Sequence, residues 1–241
     1  MRFGTWLAPS ALCVAALSTG HARACGVSAS GVASCSLAEH EEAERPRWAV
    51  GLSGVYTSTR LRFSSSLRAD ETRYASLASL GYMPSSKLLL QAGVGAAFAG
   101  RLGIGGQTYD FSPGAIGALG VDYRVFESGP LFVMLTSSLS VSAARTRLGD
   151  APSVGYEAFD LRLGAELGVV LAKVFRPYAL TRVFGGPVYW HYQGQAVTGT
   201  DTHHYQVGAG LALRLSKDFN GFVEGVPLGE RALSLGLAVA F

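Results

Sequence analysis

Phe159-Asp160-Leu161-Arg162-Leu163-Gly164-Ala165-Glu166-Leu167-Gly168-Val169 is the stretch on which the fold turns. Apolar side chains stand at every odd position and charges or glycine at every even one. Successive side chains of a strand point to opposite faces, so the segment has one apolar and one polar face. Neighbouring stretches repeat it. Tyr205, Val207, Ala209, Leu211 and Leu213 alternate with His204, Gln206, Gly208, Gly210 and Arg214, and Leu131, Val133, Leu135, Leu139 and Val141 alternate with Thr136, Ser138, Ser140 and Ser142.

Working outward, the chain from Arg47 to Phe241 reads as strand, turn, strand. Ten strands are predicted, at 47–56, 70–83, 87–99, 113–126, 131–145, 156–172, 177–192, 203–216, 220–227 and 231–241. Eight is the alternative count. Most reach the roughly 9–11 residues that a tilted strand needs to cross a bilayer. Connections alternate in length. Those at 84–86, 127–130, 173–176 and 217–220 are short, and those at 57–69, 100–112, 146–155 and 193–202 are longer. Tight turns on one side and longer loops on the other fit a membrane barrel with its short turns in the periplasm.

The aromatics sort in the same way. Trp48, Tyr82, Tyr123, Phe126, Phe175, Tyr178, Phe219, Phe222 and Phe241 fall near one set of strand ends. Tyr56, Tyr74, Tyr109, Phe111, Tyr156, Phe159, Tyr189, Trp190, Tyr192 and Tyr205 fall near the other. Two aromatic girdles around an aliphatic band are what crossing from interface to interface requires. Composition agrees: 49% of the 241 residues are hydrophobic and only 15% charged, against about 25% charged in soluble domains. No stretch beyond the first two dozen residues reaches the roughly 18 apolar residues of a membrane helix. The net charge of +3 forms no basic stripe, which argues against a nucleic-acid partner. A soluble secreted barrel with an apolar ligand inside, as in lipocalins, is the rival architecture, and the girdles argue against it.

Residues 1–24 read as a signal peptide, with Arg2, an apolar run from Leu7 to Leu17, and Ala22-Arg23-Ala24 as the cleavage pattern. Residues 25–46 form a polar periplasmic leader that ends in the acidic run from Glu39 to Pro46. Cys25 and Cys35 are a candidate disulfide in an oxidising compartment. Lipidation of Cys25 is the rival reading, and Ala22 and Arg23 match a lipoprotein signal poorly.

The last strand, Ser234-Leu235-Gly236-Leu237-Ala238-Val239-Ala240-Phe241, resembles the C-terminal β-signal of bacterial outer-membrane proteins. Ser234, Gly236, Val239 and Phe241 occupy the matching positions. With the strand pattern of 47–241, it makes the chain similar to small barrels of the OmpA-transmembrane and opacity-protein type. The resemblance implies an all-β, antiparallel up-and-down barrel in the outer membrane. Its implied partners are the barrel-assembly machinery and outer-membrane lipid including lipopolysaccharide.

The chemistry-bearing residues are the charges on the polar faces. Arg73, Asp122, Arg124, Asp160, Arg162, Glu166, Arg214 and Glu224 are predicted to face inward and to pair, because an unpaired buried charge costs several kcal/mol. A narrow solute path is the alternative. His191, His203, His204 and Asp201 flank one long connection and could meet at a divalent metal, but they read more simply as polar loop residues. Some outer-membrane barrels are enzymes acting on lipid A or on peptides. No serine stands at a strand spacing that suits His204, so no catalytic set is assigned. Gly103-Ile104-Gly105-Gly106 and the spaced Gly114, Gly117 and Gly120 lack a following helix and are not phosphate loops. No cofactor is expected. The expected role is structural or surface-interacting, with a narrow channel or a membrane enzyme as alternatives.

Overall fold

The computed structural model describes residues 25–27, 33–35, 47–64, 67–216 and 218–241. The signal peptide and the acidic run lie outside the described residues. Cys25–Val27 (β1) and Ala33–Cys35 (β2) pair antiparallel, with the backbone of Cys25 opposite that of Cys35.

Ten long strands close on themselves: β3 (Arg47–Arg62), β4 (Arg68–Ser85), β5 (Leu88–Ile104), β6 (Gln107–Ser128), β7 (Leu131–Arg147), β8 (Val154–Val169), β9 (Phe175–Gly185), β12 (Tyr205–Arg214), β13 (Phe219–Gly229) and β14 (Arg231–Ala240). Each pairs antiparallel with the next, and β14 returns to β3 from Ala240↔Ala49 to Arg231↔Ser58. Trp48 and Phe241 exchange backbone hydrogen bonds of 3.0 and 2.8 Å where the ring closes. That end is the base of the barrel, and the opposite end is its mouth.

The wall has the polarity of a membrane protein. Leu119, Leu139, Leu161, Leu163, Leu235 and Leu237 face outward and are about half exposed, while Ser53, Thr136, Ser138 and Ser234 are buried inside. An exposed apolar surface that encircles the molecule far exceeds what a water-soluble monomer carries. A closed barrel leaves no unpaired strand edge in lipid.

The structure departs from the sequence reading at the mouth. The predicted long connections 57–69 and 100–112 are mostly strand, since β3 runs on to Arg62 and β5 and β6 meet at a two-residue turn, Gly105-Gly106. Their outward side chains there are polar, so the apolar alternation that marks a strand in lipid disappears although the ladder continues. The predicted 193–202 loop is likewise a strand. Val188–Tyr192 (β10) and Gln195–Asp201 (β11) form a hairpin across Gln193-Gly194, both at positive φ, as a type I′ turn requires.

This hairpin changes the strand count along the barrel. The predicted strand 177–192 breaks at Gly186-Pro187. Any side chain at Gly186 would collide with the Phe159 carbonyl, which a Cβ would meet at 1.9 Å. Beyond the break, β10 pairs with β8 and β11 pairs with the tip of β3 through Thr200↔Arg62 and Asp201↔Leu61. β12, β13 and β14 stop below. The base ring therefore has ten strands, and the mouth ring has eight: β3 to β8, β10 and β11.

Ten strands bring both ends of the barrel to the base, and the expected orientation sets that base in the periplasm. A short epitope inserted between Gln193 and Gly194 is expected to bind antibody on intact cells, and one at Ser85 to bind only after permeabilisation. Equal labelling of both would reject the orientation. Insertion within 195–201 would instead break β11.

Candidate functional site

The interior is stacked in three layers, set by side chains at alternate positions of the strands. The lowest centres on Arg182 of β9, with under 2% of its surface exposed. Its guanidinium donates to Glu224 through Nη1 at 2.8 Å and Nη2 at 2.9 Å, and to Glu166 through Nη2 at 3.0 Å. Tyr178 donates to Glu224 at 3.1 Å, and Gln91 donates to buried Asp122 at 3.0 Å. Two glycines make room. A Cβ at Gly164 would lie 2.5 Å from Arg182 Cγ, and one at Gly210 2.2 Å from the Tyr178 ring.

Above lies a chamber of about 140 Å³. Arg162 pairs there with Asp160 and, at 2.9 Å, with Glu230, and its guanidinium sits 4.8 Å from the Phe184 ring centre. Arg73 pairs with Glu71 at 3.5 Å and donates to Ser142 at 3.0 Å. Tyr156 donates to Glu71, and Thr59 donates to Asp201 at 2.7 Å. Every carboxylate of the two layers is thus held by an arginine, tyrosine, threonine or glutamine.

The third layer is apolar and fills the eight-strand ring. Trp190 of β10 is fully buried among Phe63, Tyr109 and Tyr192, and its indole N–H donates to Thr146 Oγ1 at 2.8 Å. Phe111 and Tyr156 meet edge to face below it. Tyr109, Phe111, Tyr156 and Trp190 are therefore a lid inside the mouth and not members of the outer girdle. Tyr178 and Phe222 likewise face inward near the base. Trp48, Tyr74, Tyr123, Phe126, Phe159, Phe175, Tyr189, Tyr205 and Phe241 do face outward.

Of the predicted inward charges, Asp122, Glu166 and Glu224 lie in the lowest layer, while Asp160, Arg162 and Arg73 lie in the chamber. Arg124 pairs with Glu127 at 2.6 Å nearer the base. Arg214 stands opposite Asn220 at the base and is half-buried. Sequence reading missed Arg182, Glu71 and Glu230, and it set Asp201 in a loop beside the histidines, whereas that residue lines the chamber. Arg182 was detectable, because Arg176 shares its parity and that face cannot be the lipid face. His203 packs against Tyr205, and His204 Nδ1 lies 3.2 Å from the Phe184 carbonyl. Among the described residues no three His, Cys, Asp or Glu side chains are grouped to hold a metal ion. Ser234 and Gly236 face inward and Val239 and Phe241 outward. Gly236 leaves space for the Phe222 ring, which a Cβ would meet at 2.4 Å.

An apolar outer wall, aromatics at its edges, a closed ladder and a polar interior define a transmembrane β-barrel of the cell outer membrane. No known family model matches the sequence, and no curated protein matches it. Among solved structures, the chain is similar to the outer membrane protease OmpT of Escherichia coli, at 9% identity and a TM-score of 0.49, over 86% of this chain and 100% of that one. It is also similar to the β domain of the Bordetella autotransporter BrkA (15% identity, TM-score 0.47, 79% and 98% covered). Neisserial surface protein A is a third (12% identity, TM-score 0.40, 83% and 100% covered). The likeness is one of barrel architecture.

Proposed function

We propose that this barrel is a closed, non-enzymatic structural or surface-interaction protein of the outer membrane. The buried bridge from Arg182 to Glu166 and Glu224 carries the reading. It ties β9 to its neighbour β8 and, past β12, to β13 on one side of the interior at 2.8–3.0 Å, with the aromatic lid stacked above. A conducting path would have to displace both. The described lumen acids each have a partner in the wall, which favours a bracing role for them. In the same reading, Ser234, Gly236, Val239 and Phe241 form the segment presented to the barrel-assembly machinery.

Purified barrel in planar bilayers is expected to show no steady conductance. Reproducible single-channel steps that change on Glu166→Gln or Arg162→Ala would overturn the closed lumen and favour a narrow channel.

A further inference from the structure

The outward charges at the mouth are distributed unevenly around the wall. On each strand, the first outward charge beyond the last outward apolar side chain marks the edge of the membrane, because a cation in the hydrocarbon is costly and one at the interface is not. On β14 this residue is Arg231, beyond Leu233. On β3, Arg60 and Arg62 lie beyond Tyr56; on β4, Asp70 and then Arg68 lie beyond Tyr74; on β5, Arg101 lies beyond Phe98; on β6 the outward charge is Asp110; and on β7, Arg145 and Arg147 lie beyond Val141. All seven arginines are exposed. From β8 through β13 the described residues include no outward arginine at the mouth, and Glu157, Tyr189, His191 and Tyr205 occupy the corresponding positions.

The register brings these arginines together. Arg62 lies directly opposite Arg68, and Arg101 and Arg147 flank Asp110 from either side. Like charges directly opposite each other on one face repel, so the Arg62–Arg68 pair calls for an anion between them. Asp70 is committed to Arg60 at 2.8 Å and Asp110 lies 3.8 Å from Arg101. Arg62, Arg68, Arg145 and Arg147 make no ion pair to a described residue. Arginine suits such a ligand: every described cation of this belt is arginine, whose planar fork matches a phosphate, and the chain as a whole is rich in arginine and poor in lysine.

We propose that the mouth-side wall from β14 to β7 binds the phosphates of phosphorylated lipid in the outer leaflet. The arginines beyond Tyr74, Phe98 and Val141 meet the headgroup, and those apolar side chains meet the acyl chains. This half-belt would hold an ordered lipid shell on one side of the barrel only. The inference rests on the membrane orientation above and does not depend on the closed lumen.

Native mass spectrometry of the barrel in detergent can test it, with bis-phosphorylated lipid A, dephosphorylated lipid A and inorganic phosphate as probes. The phosphorylated lipid should give adducts at concentrations at least ten-fold below the dephosphorylated form. Combining Arg62→Gln, Arg68→Gln, Arg145→Gln and Arg147→Gln should reduce that preference to within two-fold. Lys87→Gln with Lys173→Gln at the base should leave it intact. Retained fast gel mobility without heating shows that each variant is folded. Equal binding of the two lipids by the unaltered barrel, or an intact preference in the four-arginine variant, would overturn the proposal. Loss of the adduct to micromolar inorganic phosphate would also overturn it, by assigning the belt to free anions. Conductance measurements bear on the lumen alone, so the two readings fail separately.

Discussion

Arg182→Ala should destabilise the barrel more than any other single charge removal. The substitution leaves Glu166 and Glu224 facing each other's surroundings without the cation that now bridges them at 2.8–3.0 Å. Breaking a buried ion pair by deleting one partner costs about 3–5 kcal/mol, because the other charge stays buried and uncompensated. Urea unfolding in detergent micelles, followed by loss of the fast-migrating unheated band, would measure it. The cost belongs to the stranded carboxylates, so it should be recoverable. Arg182→Met combined with Glu166→Gln and Glu224→Gln should regain at least half of the lost stability, since a buried charge triad can be replaced by neutral groups of similar volume. An Arg182→Ala barrel as stable as its parent would mean that this layer does not brace the wall.

Trp190→Ala should come next in size. The ring is fully buried, contacts Tyr109 at 5.0 Å and Tyr192 at 4.9 Å between ring centres, and satisfies buried Thr146. Removing a buried tryptophan costs about 3–5 kcal/mol through lost contacts and the void left behind, and the orphaned Thr146 hydroxyl adds to it. The loss should fall on the mouth: amide exchange should rise in β10 and β11 while β13 and β14 stay protected. Trp190→Phe should restore most of the packing. Uniform exchange through the whole barrel would show that the lid and the lower wall unfold as one unit.

The membrane-embedded part of the fold was legible because lipid enforces a strict rule. Each outward side chain between the girdles must be apolar, so strands such as 159–169 announce both faces at once. Above the membrane the rule lapses. Residues 57–62 and 195–201 have water outside and mostly polar side chains, with Leu61 and Val197 the apolar exceptions on the inner face, so they read as loops although they are strands. The aromatics misled for a related reason. Tyr109, Phe111, Tyr156 and Trp190 sit at the height of a girdle but turn inward, Tyr109 and Phe111 because a register shift between Ser112 and Ala115 reverses the parity of their strand. The charge network was half legible. Asp160, Arg162 and Glu166 declare themselves by alternation on one strand, whereas Arg182 shares its face with Tyr178, Leu180 and Phe184 and looks apolar in company. Asp201 and Glu230 reach the chamber from a strand end and a hairpin tip, where no periodicity exists to read.

The loss of two strands between base and mouth makes the molecule a funnel. Strands spaced about 4.8 Å apart and tilted about 40° give a backbone diameter of about 20 Å for ten and about 16 Å for eight. An eight-strand cylinder is just wide enough for its own side chains to fill. On the closed-lumen reading, the throat is shut by its girth, and the aromatic lid is the form that shutting takes. Trimming one ring leaves a void beneath an intact throat. Widening the throat would require the β10–β11 hairpin to let go of the tip of β3, where Thr200 and Asp201 hold it by a two-residue ladder.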